Sequence, residues 1–211
     1  MGGHEDISER GDGMSLVVLV SGGIDSALMS TLAHEEGLKQ FPLFIDYGQI
    51  CRDKELEACM SFHERCGLPM PTVMDIHSFG KIIPSGLTDT SLDVNEDAFL
   101  PGRNLLFLLM GSAYAYKNKA DTVAIGLLDE DSHIFPDQTR DFLEHAEETI
   151  GIALGKKISL IAPLMEFTKE NVIRIAHEKG ITDTYSCHSG TDEPCGVCIS
   201  CQEVIGGNNG W

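Results

Sequence analysis

Strand-length apolar runs alternate with helix-length segments along most of this chain, and this alternation constrains the fold more than any other feature. The strand candidates are Leu16–Val20, Phe41–Asp46, Thr72–Asp75, Asp121–Gly126 and Lys157–Ile161. The predicted helices are Ser26–Glu36, Asp53–Cys66, Arg103–Tyr116, Gln138–Leu154 and Thr168–Lys179. The pattern predicts an α/β fold with a doubly wound, parallel, five-stranded sheet that binds its ligands at the carboxyl ends of the strands.

Composition divides the chain into four segments. Residues 1–13 are polar and Gly-rich, which predicts a disordered leader. Residues 14–180 contain the predicted α/β domain, residues 181–205 are rich in cysteine, and residues 206–211 are expected to form a flexible tail. Within the domain, the run from Leu105 to Met110 is apolar on all sides of its helix, which predicts deep burial.

The overall charge limits the classes of partner. A formal net charge of −18 repels phosphate backbones, so a nucleic-acid partner is disfavoured. No apolar run approaches the ~18 residues that a membrane span needs. The acidic, polar start is also unlike a secretory signal. We therefore expect a cytoplasmic protein that does not bind a membrane.

A Gly-rich turn between the first predicted strand and helix predicts a nucleotide site. It comprises Val20, Ser21, Gly22, Gly23, Ile24, Asp25 and Ser26. The glycines let backbone N–H groups approach an anion, the helix N-terminus adds positive potential, and two serine hydroxyls add donors. A carboxylate would repel phosphate unless it holds Mg²⁺, which is the role predicted for Asp25. The alternative is a tight turn whose glycines serve only packing.

The turn lacks the Gly-Lys-Ser/Thr of a Walker loop and the three spaced glycines of a dinucleotide fold. It resembles the PP-loop motif, Ser-Gly-Gly-x-Asp-Ser, of the ATP pyrophosphatase superfamily. That resemblance implies cleavage of ATP between the α- and β-phosphates and transfer of AMP to a substrate oxygen.

Four of the seven cysteines crowd together near the end of the sequence. Cys187, Cys195, Cys198 and Cys201 supply the four thiolates of a closed tetrahedral zinc site, which would be structural. An iron–sulfur cluster and a redox Cys-x-x-Cys pair are the alternatives, and His188 could replace one thiolate. The other three, Cys51, Cys59 and Cys66, are expected to be small buried hydrophobic side chains.

Beyond these two motifs, the chain from Leu16 to Cys201 resembles QueC, the 7-cyano-7-deazaguanine synthase family. The further matching residues are Asp46–Gln49, Leu100–Phe107, Asp131, Phe135–Asp137, Phe142, Ala162–Leu164, Lys169, Ser186 and the segment from Pro194 to Cys201. The resemblance implies that 7-carboxy-7-deazaguanine is adenylated, that ammonia gives an amide, and that a second adenylation gives the nitrile. It also implies Mg²⁺ with ATP, structural zinc and a homodimer.

The same resemblance assigns roles to individual residues. Asp25, Arg103 and Lys169 are predicted to be catalytic, the two basic side chains by stabilising phosphate charge. The predicted substrate-binding residues are Tyr47, Gln49, Arg103, Asn104, Asp131 and Asp137. The alternative role for Lys169 is an exposed surface lysine, and for Arg103 a structural arginine at the start of a helix. For Tyr47 the alternative is an aromatic side chain at the edge of the core.

Several positions depart from the family pattern, mostly on the substrate side. This chain has Ile50-Cys51 where the family usually has Arg-His, and Gln138-Thr139 where the family has Cys-Arg. It also has Leu128 in place of Asn and Val204 in place of Arg, and its tail from Gly206 differs. These departures leave open a paralog that joins a deazaguanine to a partner protein in anti-phage defence. A PP-loop tRNA-modifying enzyme and a non-catalytic ATP-binding or sensor protein are further alternatives.

Overall fold

The computed structural model describes residues 14–129 and 135–207. The predicted leader, Asp131 and the last four residues of the predicted tail lie outside the described residues. Within the described ranges, none of the helices is long and apolar enough to cross a membrane.

Five parallel strands form one sheet in the described part of the chain, as the sequence predicts. They are β1 (Ser15–Val20), β2 (Lys39–Asp46), β3 (Thr72–Asp75), β4 (Thr122–Ala124) and β5 (Ser159–Ile161). Their order is β3-β2-β1-β4-β5, so the order reverses at β1. This reversal leaves a crevice at the carboxyl end of β1, where an open α/β sheet binds its ligands.

The helices are α1 (Ile24–Glu35), α2 (Arg52–Arg65), α3 (Ser78–Ile82), α4 (Arg103–Asn118), α5 (Arg140–Leu154), α6 (Lys169–Glu178) and α7 (Ile199–Gly207). The Thr168 hydroxyl caps α6 by accepting a hydrogen bond from the Asn171 backbone N–H at 3.2 Å. Two of these helices, α3 and α7, were not predicted from the sequence, and α7 extends two residues into the predicted tail.

The core consists of one apolar layer on each face of the sheet. Alternate residues of β1 point to opposite faces, so Val18 packs with α1 and α6, and Val17 packs with α4 and α5. The expectation that Leu105 to Met110 is deeply buried is wrong. Leu108 is fully buried, but Leu105 is 40% exposed because only one side of α4 contacts the sheet. Gly111 allows α4 to pack closely against β4 of the sheet, since an added Cβ would lie 2.9 Å from Val123.

Candidate functional site

A cavity of about 310 Å³ lies at the carboxyl ends of β1, β2 and β4. Its lining includes ten of the residues predicted to form the site. They come from the Gly-rich turn after β1, the end of β2 and the first residues of α4 and α6. These residues are Val20, Ser21, Gly23, Asp25, Ser26, Tyr47, Gln49, Arg103, Asn104 and Lys169. Gly22, Ile24 and Asp137, which were also predicted, do not line it.

The PP-loop is held in a shape that leaves helix N–H groups free of side-chain caps. Ser26 Oγ donates to the Gly23 carbonyl at 2.9 Å and accepts from the Ser21 N–H at 3.2 Å. Gly23 precedes α1 and supplies no side-chain cap, so an anion could accept from the first turn. Gly22 has a φ of +85°, and a Cβ there would lie 2.2 Å from the Glu55 carbonyl oxygen. This position therefore requires glycine.

Three charged side chains meet beside the loop. Lys169 Nζ donates to both carboxylate oxygens of Asp25 at 2.9 Å, although the two residues are 144 positions apart. The Glu203 carboxylate lies 3.8 Å from the same nitrogen. Burial raises the pKa of Glu203, the Lys169 charge opposes this rise, and the Asp25 charge adds to it. This end of the cavity can bind phosphate through its lysine and loop N–H groups, and a cation through its carboxylates.

A second part of the cavity lining, the aromatic end, consists of the Tyr47 and Phe107 rings, Arg103 and the Glu55 carboxyl group. The Tyr47 and Phe107 ring centroids lie 5.2 Å apart, and the Arg103 guanidinium carbon lies 5.9 Å from each of them. Gln49 Nε2 donates to a Glu55 carboxylate oxygen at 3.1 Å. Burial raises the pKa of Glu55 to about 7, against the opposing effects of this hydrogen bond, the Cys51 thiol and the Arg103 charge.

Asn104 and Asp137, both predicted to bind substrate, contact each other. Asn104 Nδ2 donates to the Asp137 backbone carbonyl at 3.0 Å. The Asn104 backbone N–H also donates to the Asp137 carboxylate at 3.4 Å. The pair therefore ties the start of α4 to the turn at 136–138, from which Phe135 and Gln138 line the cavity.

The four predicted metal-binding cysteines come together beside this cavity. The Sγ atoms of Cys187, Cys195, Cys198 and Cys201 all lie within 4.8 Å of one another, and Cys195 and Cys201 are 3.9 Å apart. Sulfurs bound tetrahedrally to one zinc at about 2.3 Å lie about 3.8 Å from each other, so the cluster can hold a metal. His188 is not part of the cluster; it lines the cavity.

Comparison with known proteins identifies the family. The model of "Queuosine biosynthesis protein QueC" matches residues 15–207. The chain is 34% identical to the 7-cyano-7-deazaguanine synthase of Sulfurovum sp. (strain NBC37-1), over 90% of this chain and 91% of that protein. It is 33% identical to the synthase of Nautilia profundicola, over 88% and 89%. The chain belongs to the QueC family.

Two solved structures have a fold similar to that of this chain. A predicted subunit of tRNA methyltransferase from Methanocaldococcus jannaschii aligns with a TM-score of 0.53 at 18% identity, over 78% of this chain and 75% of that one. The U34-tRNA thiolase NcsA from Methanococcus maripaludis aligns with a TM-score of 0.54 at 15% identity, over 92% and 63%. At these identities the likeness concerns the fold alone.

The positions that depart from the QueC pattern have different surroundings. Cys51 is buried at the start of α2, and Leu128 packs against the core layer of α1 and α6. Thr139 caps α5 by accepting from the Phe142 N–H at 3.1 Å. Gln138 lines the main cavity, and Val204 lines a second cavity of about 370 Å³. The departures therefore alter the lining of two cavities and three structural positions.

Three cavity residues were missed as site residues in the sequence analysis. Glu55 and Glu203 resemble ordinary helical carboxylates in the sequence, and His188 was considered only as a possible metal ligand. In the structure, His188 Nδ1 is buried without a hydrogen-bond partner in the described part of the chain. Burial and the positive charges of Arg103 and Lys169 lower the His188 pKa to about 4, so its ring is neutral at physiological pH.

Proposed function

We propose that this protein is an ATP-dependent ligase that converts 7-carboxy-7-deazaguanine and ammonia to 7-cyano-7-deazaguanine. One observation carries the proposal: a single cavity joins the PP-loop and the Asp25–Lys169 pair to an aromatic and arginine-bearing end. A nucleotide and an acid that react with each other need such a shared cavity. The choice of substrate is supported by the QueC relatives named 7-cyano-7-deazaguanine synthase.

The proposed reaction activates the same carbon twice. A carboxylate oxygen attacks the α-phosphorus of ATP, the bond to the bridging oxygen breaks, and pyrophosphate leaves. Ammonia then displaces AMP from the acyl adenylate and loses a proton, which gives the amide. A second ATP adenylates the amide oxygen, with loss of pyrophosphate and one N–H proton. Loss of AMP and of the second N–H proton then gives the nitrile. Since a free carboxylate is a poor electrophile, AMP serves as the leaving group at both stages.

The residues around the loop have matching roles in this proposal. The loop N–H groups and Ser21 would bind the phosphates, and Lys169 and Arg103 would stabilise the charge that develops on them. Asp25 and Glu203 are the carboxylates that could hold Mg²⁺, which would neutralise charge on the pyrophosphate when bound. Bound substrate and nucleotide would displace water from the cavity and so limit hydrolysis of the acyl adenylate.

We propose zinc as the metal of the cysteine cluster. The support is the donor set of four thiolates and their close spacing, which suits one tetrahedral ion. A four-iron cluster would occupy the space between its thiolates and hold them further apart. Elemental analysis of the purified protein tests this, and one zinc for each chain is expected.

Product analysis tests the proposed function. The full chain is incubated with ATP and 7-carboxy-7-deazaguanine, with and without ammonium, and the products are weighed by mass spectrometry. The expected products are the nitrile, AMP and pyrophosphate, with nitrile formed only when ammonium is present. Asp25→Asn should abolish turnover, and Glu57→Gln, at an exposed position of α2, should match the wild type.

Other product patterns would contradict the proposal. ADP and phosphate would exclude attack at the α-phosphorus. Transfer of the deazaguanine to a protein amine would identify the conjugating alternative instead. Modification of a tRNA would identify the third alternative, which the net charge of −18 disfavours. The predicted homodimer stays a prediction, and sedimentation analysis would test it.

A further inference from the structure

Glu55 is a partly buried acidic residue at the cavity, and the proposed reaction leaves it without a role. It lies in the N-terminal half of α2, and its side chain lines the cavity at the aromatic end. The close approach of α2 to Gly22 fixes this position, because the Glu55 carbonyl lies where a side chain on Gly22 would otherwise stand. The fold therefore fixes the backbone of Glu55, and the side chain extends from there into the lining of the cavity.

Neighbouring groups occupy only some of the hydrogen-bond acceptor positions of the Glu55 carboxylate. Gln49 donates to it at 3.1 Å, and the Cys51 thiol also hydrogen-bonds with it. Gln49 is itself held in place, since its Oε1 accepts from the Tyr47 N–H at 3.0 Å. Among the described residues, no lysine or arginine forms an ion pair with Glu55. An ionised carboxylate offers about four acceptor positions, so about two remain for a ligand in the cavity.

The residues around Glu55 indicate which chemical class of ligand would bind there. The Tyr47 and Phe107 rings, with Arg103 near both, form a wall suited to a flat aromatic ring. A buried carboxylate with free acceptor positions needs a partner with adjacent N–H donors. A guanine-type ring presents two of them side by side, N1–H and the 2-amino group. An adenine edge presents one donor and one acceptor, which suits an amide better than a carboxylate.

We propose that Glu55 is the specificity residue for the guanine-type ring of the substrate, accepting hydrogen bonds from N1–H and the 2-amino group through its two carboxylate oxygens. This inference rests on the proposed function for the identity of the ring. It goes further by assigning the group that distinguishes a guanine-type ring from other purine-like rings. Gln49 is the positioning residue that orients the carboxylate.

Binding measurements on the full, metal-bound chain test the assignment. Titration calorimetry at about pH 8, above the pKa of the carboxyl group, measures affinity for 7-carboxy-7-deazaguanine and, separately, for ATP. Glu55→Gln should weaken binding of the acid about 30-fold, because an amide can accept from only one of the two donors. Its affinity for ATP should not change. Glu57→Gln is the matched control, since it removes an exposed carboxylate from the same helix.

A second arm changes the ligand and needs no variant. An analogue of the acid without the 2-amino group should bind the wild type about tenfold more weakly than the acid does. The Glu55→Gln variant should discriminate between the two ligands much less. Equal binding of the acid and this analogue by the wild type would overturn the inference. So would a Glu55→Gln variant that binds the acid normally but has altered affinity for ATP, since that places adenine against this residue.

Failure of the proposed function is distinguishable from failure of this inference. The probe is 7-deazaguanine, which has the same ring edge but no carboxylate to activate. If 7-deazaguanine binds the wild type more tightly than Glu55→Gln, and the acid is not turned over, the inference stands and the proposed function fails. If the acid is turned over by Glu55→Gln with an unchanged KM, the proposed function stands and the inference fails. If the wild type binds neither compound, both fail.

Discussion

Replacing Glu55 with glutamine should remove a pH-dependent loss of stability. Burial raises the pKa of this carboxyl group from 4.5 to about 7 in the folded protein. In the unfolded chain the group loses its proton near 4.5, whereas the folded protein keeps it until about 7. The folded state therefore binds the extra proton, and its stability falls as pH rises through this window. At about 1.4 kcal/mol for each pKa unit, the full loss is about 3 kcal/mol.

The groups that face Glu55 titrate outside this window. Burial raises the pKa of Cys59 to about 12 and raises the pKa values of Tyr47 and Cys51 still further, so all three stay neutral. The positive charge of Arg103 opposes the rise in the Glu55 pKa. The pH dependence assigned to this cluster therefore belongs to one carboxyl group. Glutamine, which is neutral at every pH and similar in shape to the protonated acid, should abolish it.

Urea unfolding followed by circular dichroism measures the effect. Near pH 5 the variant and the wild type should differ by less than about 1 kcal/mol, and by about pH 8 the variant should be more stable by about 3 kcal/mol. Metal binding also weakens at low pH, but it does so in both proteins and cancels in the comparison. Glu57→Gln should run parallel to the wild type. Parallel curves for Glu55→Gln and the wild type would refute the reasoning.

Three further substitutions test the nucleotide loop and the metal cluster. Gly22→Ala should cost about 3 kcal/mol or more of stability in urea unfolding, because its Cβ would lie 2.2 Å from the Glu55 carbonyl; a loss below about 1 kcal/mol would contradict that contact. Cys198→Ser should lose the metal by elemental analysis and lower the melting temperature, since thiolate binding supplies about 10 kcal/mol of folding free energy. Asp25→Asn should reduce turnover at least about 100-fold while the circular dichroism spectrum stays unchanged, and activity near the wild-type level would exclude the assigned role.

The fold was predictable where the sequence pattern is local. The alternation of strands and helices gave the five-stranded parallel sheet, and the turn at 20–26 gave the edge at which ligands bind. The prediction for α4 failed because an apolar run has the same appearance whether one side or every side is buried. Leu105 stays exposed although Leu108, one turn later, is fully buried. The helix α7 was missed because its one cysteine, Cys201, and its two glycines were attributed to the metal cluster and the tail.

The site was predictable only where its residues are adjacent in the sequence. The loop and the four cysteines each form a short motif, but the Asp25–Lys169 pair joins residues 144 positions apart. Glu55 was missed for a different reason. A carboxylate near the start of a helix ordinarily faces solvent and is stabilised by the helix dipole, so nothing local distinguishes it from the exposed Glu57. Its burial follows from the packing of α2 against Gly22.

Residues next to the cysteine cluster line the cavity and contact the PP-loop. The Tyr185 N–H donates to the Gly22 carbonyl at 2.9 Å, and a Cβ on Gly23 would meet Ser186 Oγ at 3.4 Å. Cys187 follows immediately, and Ser200, between two of the other cysteines, lines the cavity. A metal bound by the four thiolates would therefore fix the position of the segment that supports the loop. A closed metal site with no free coordination position can in this way shape the nucleotide site without contacting any ligand in it.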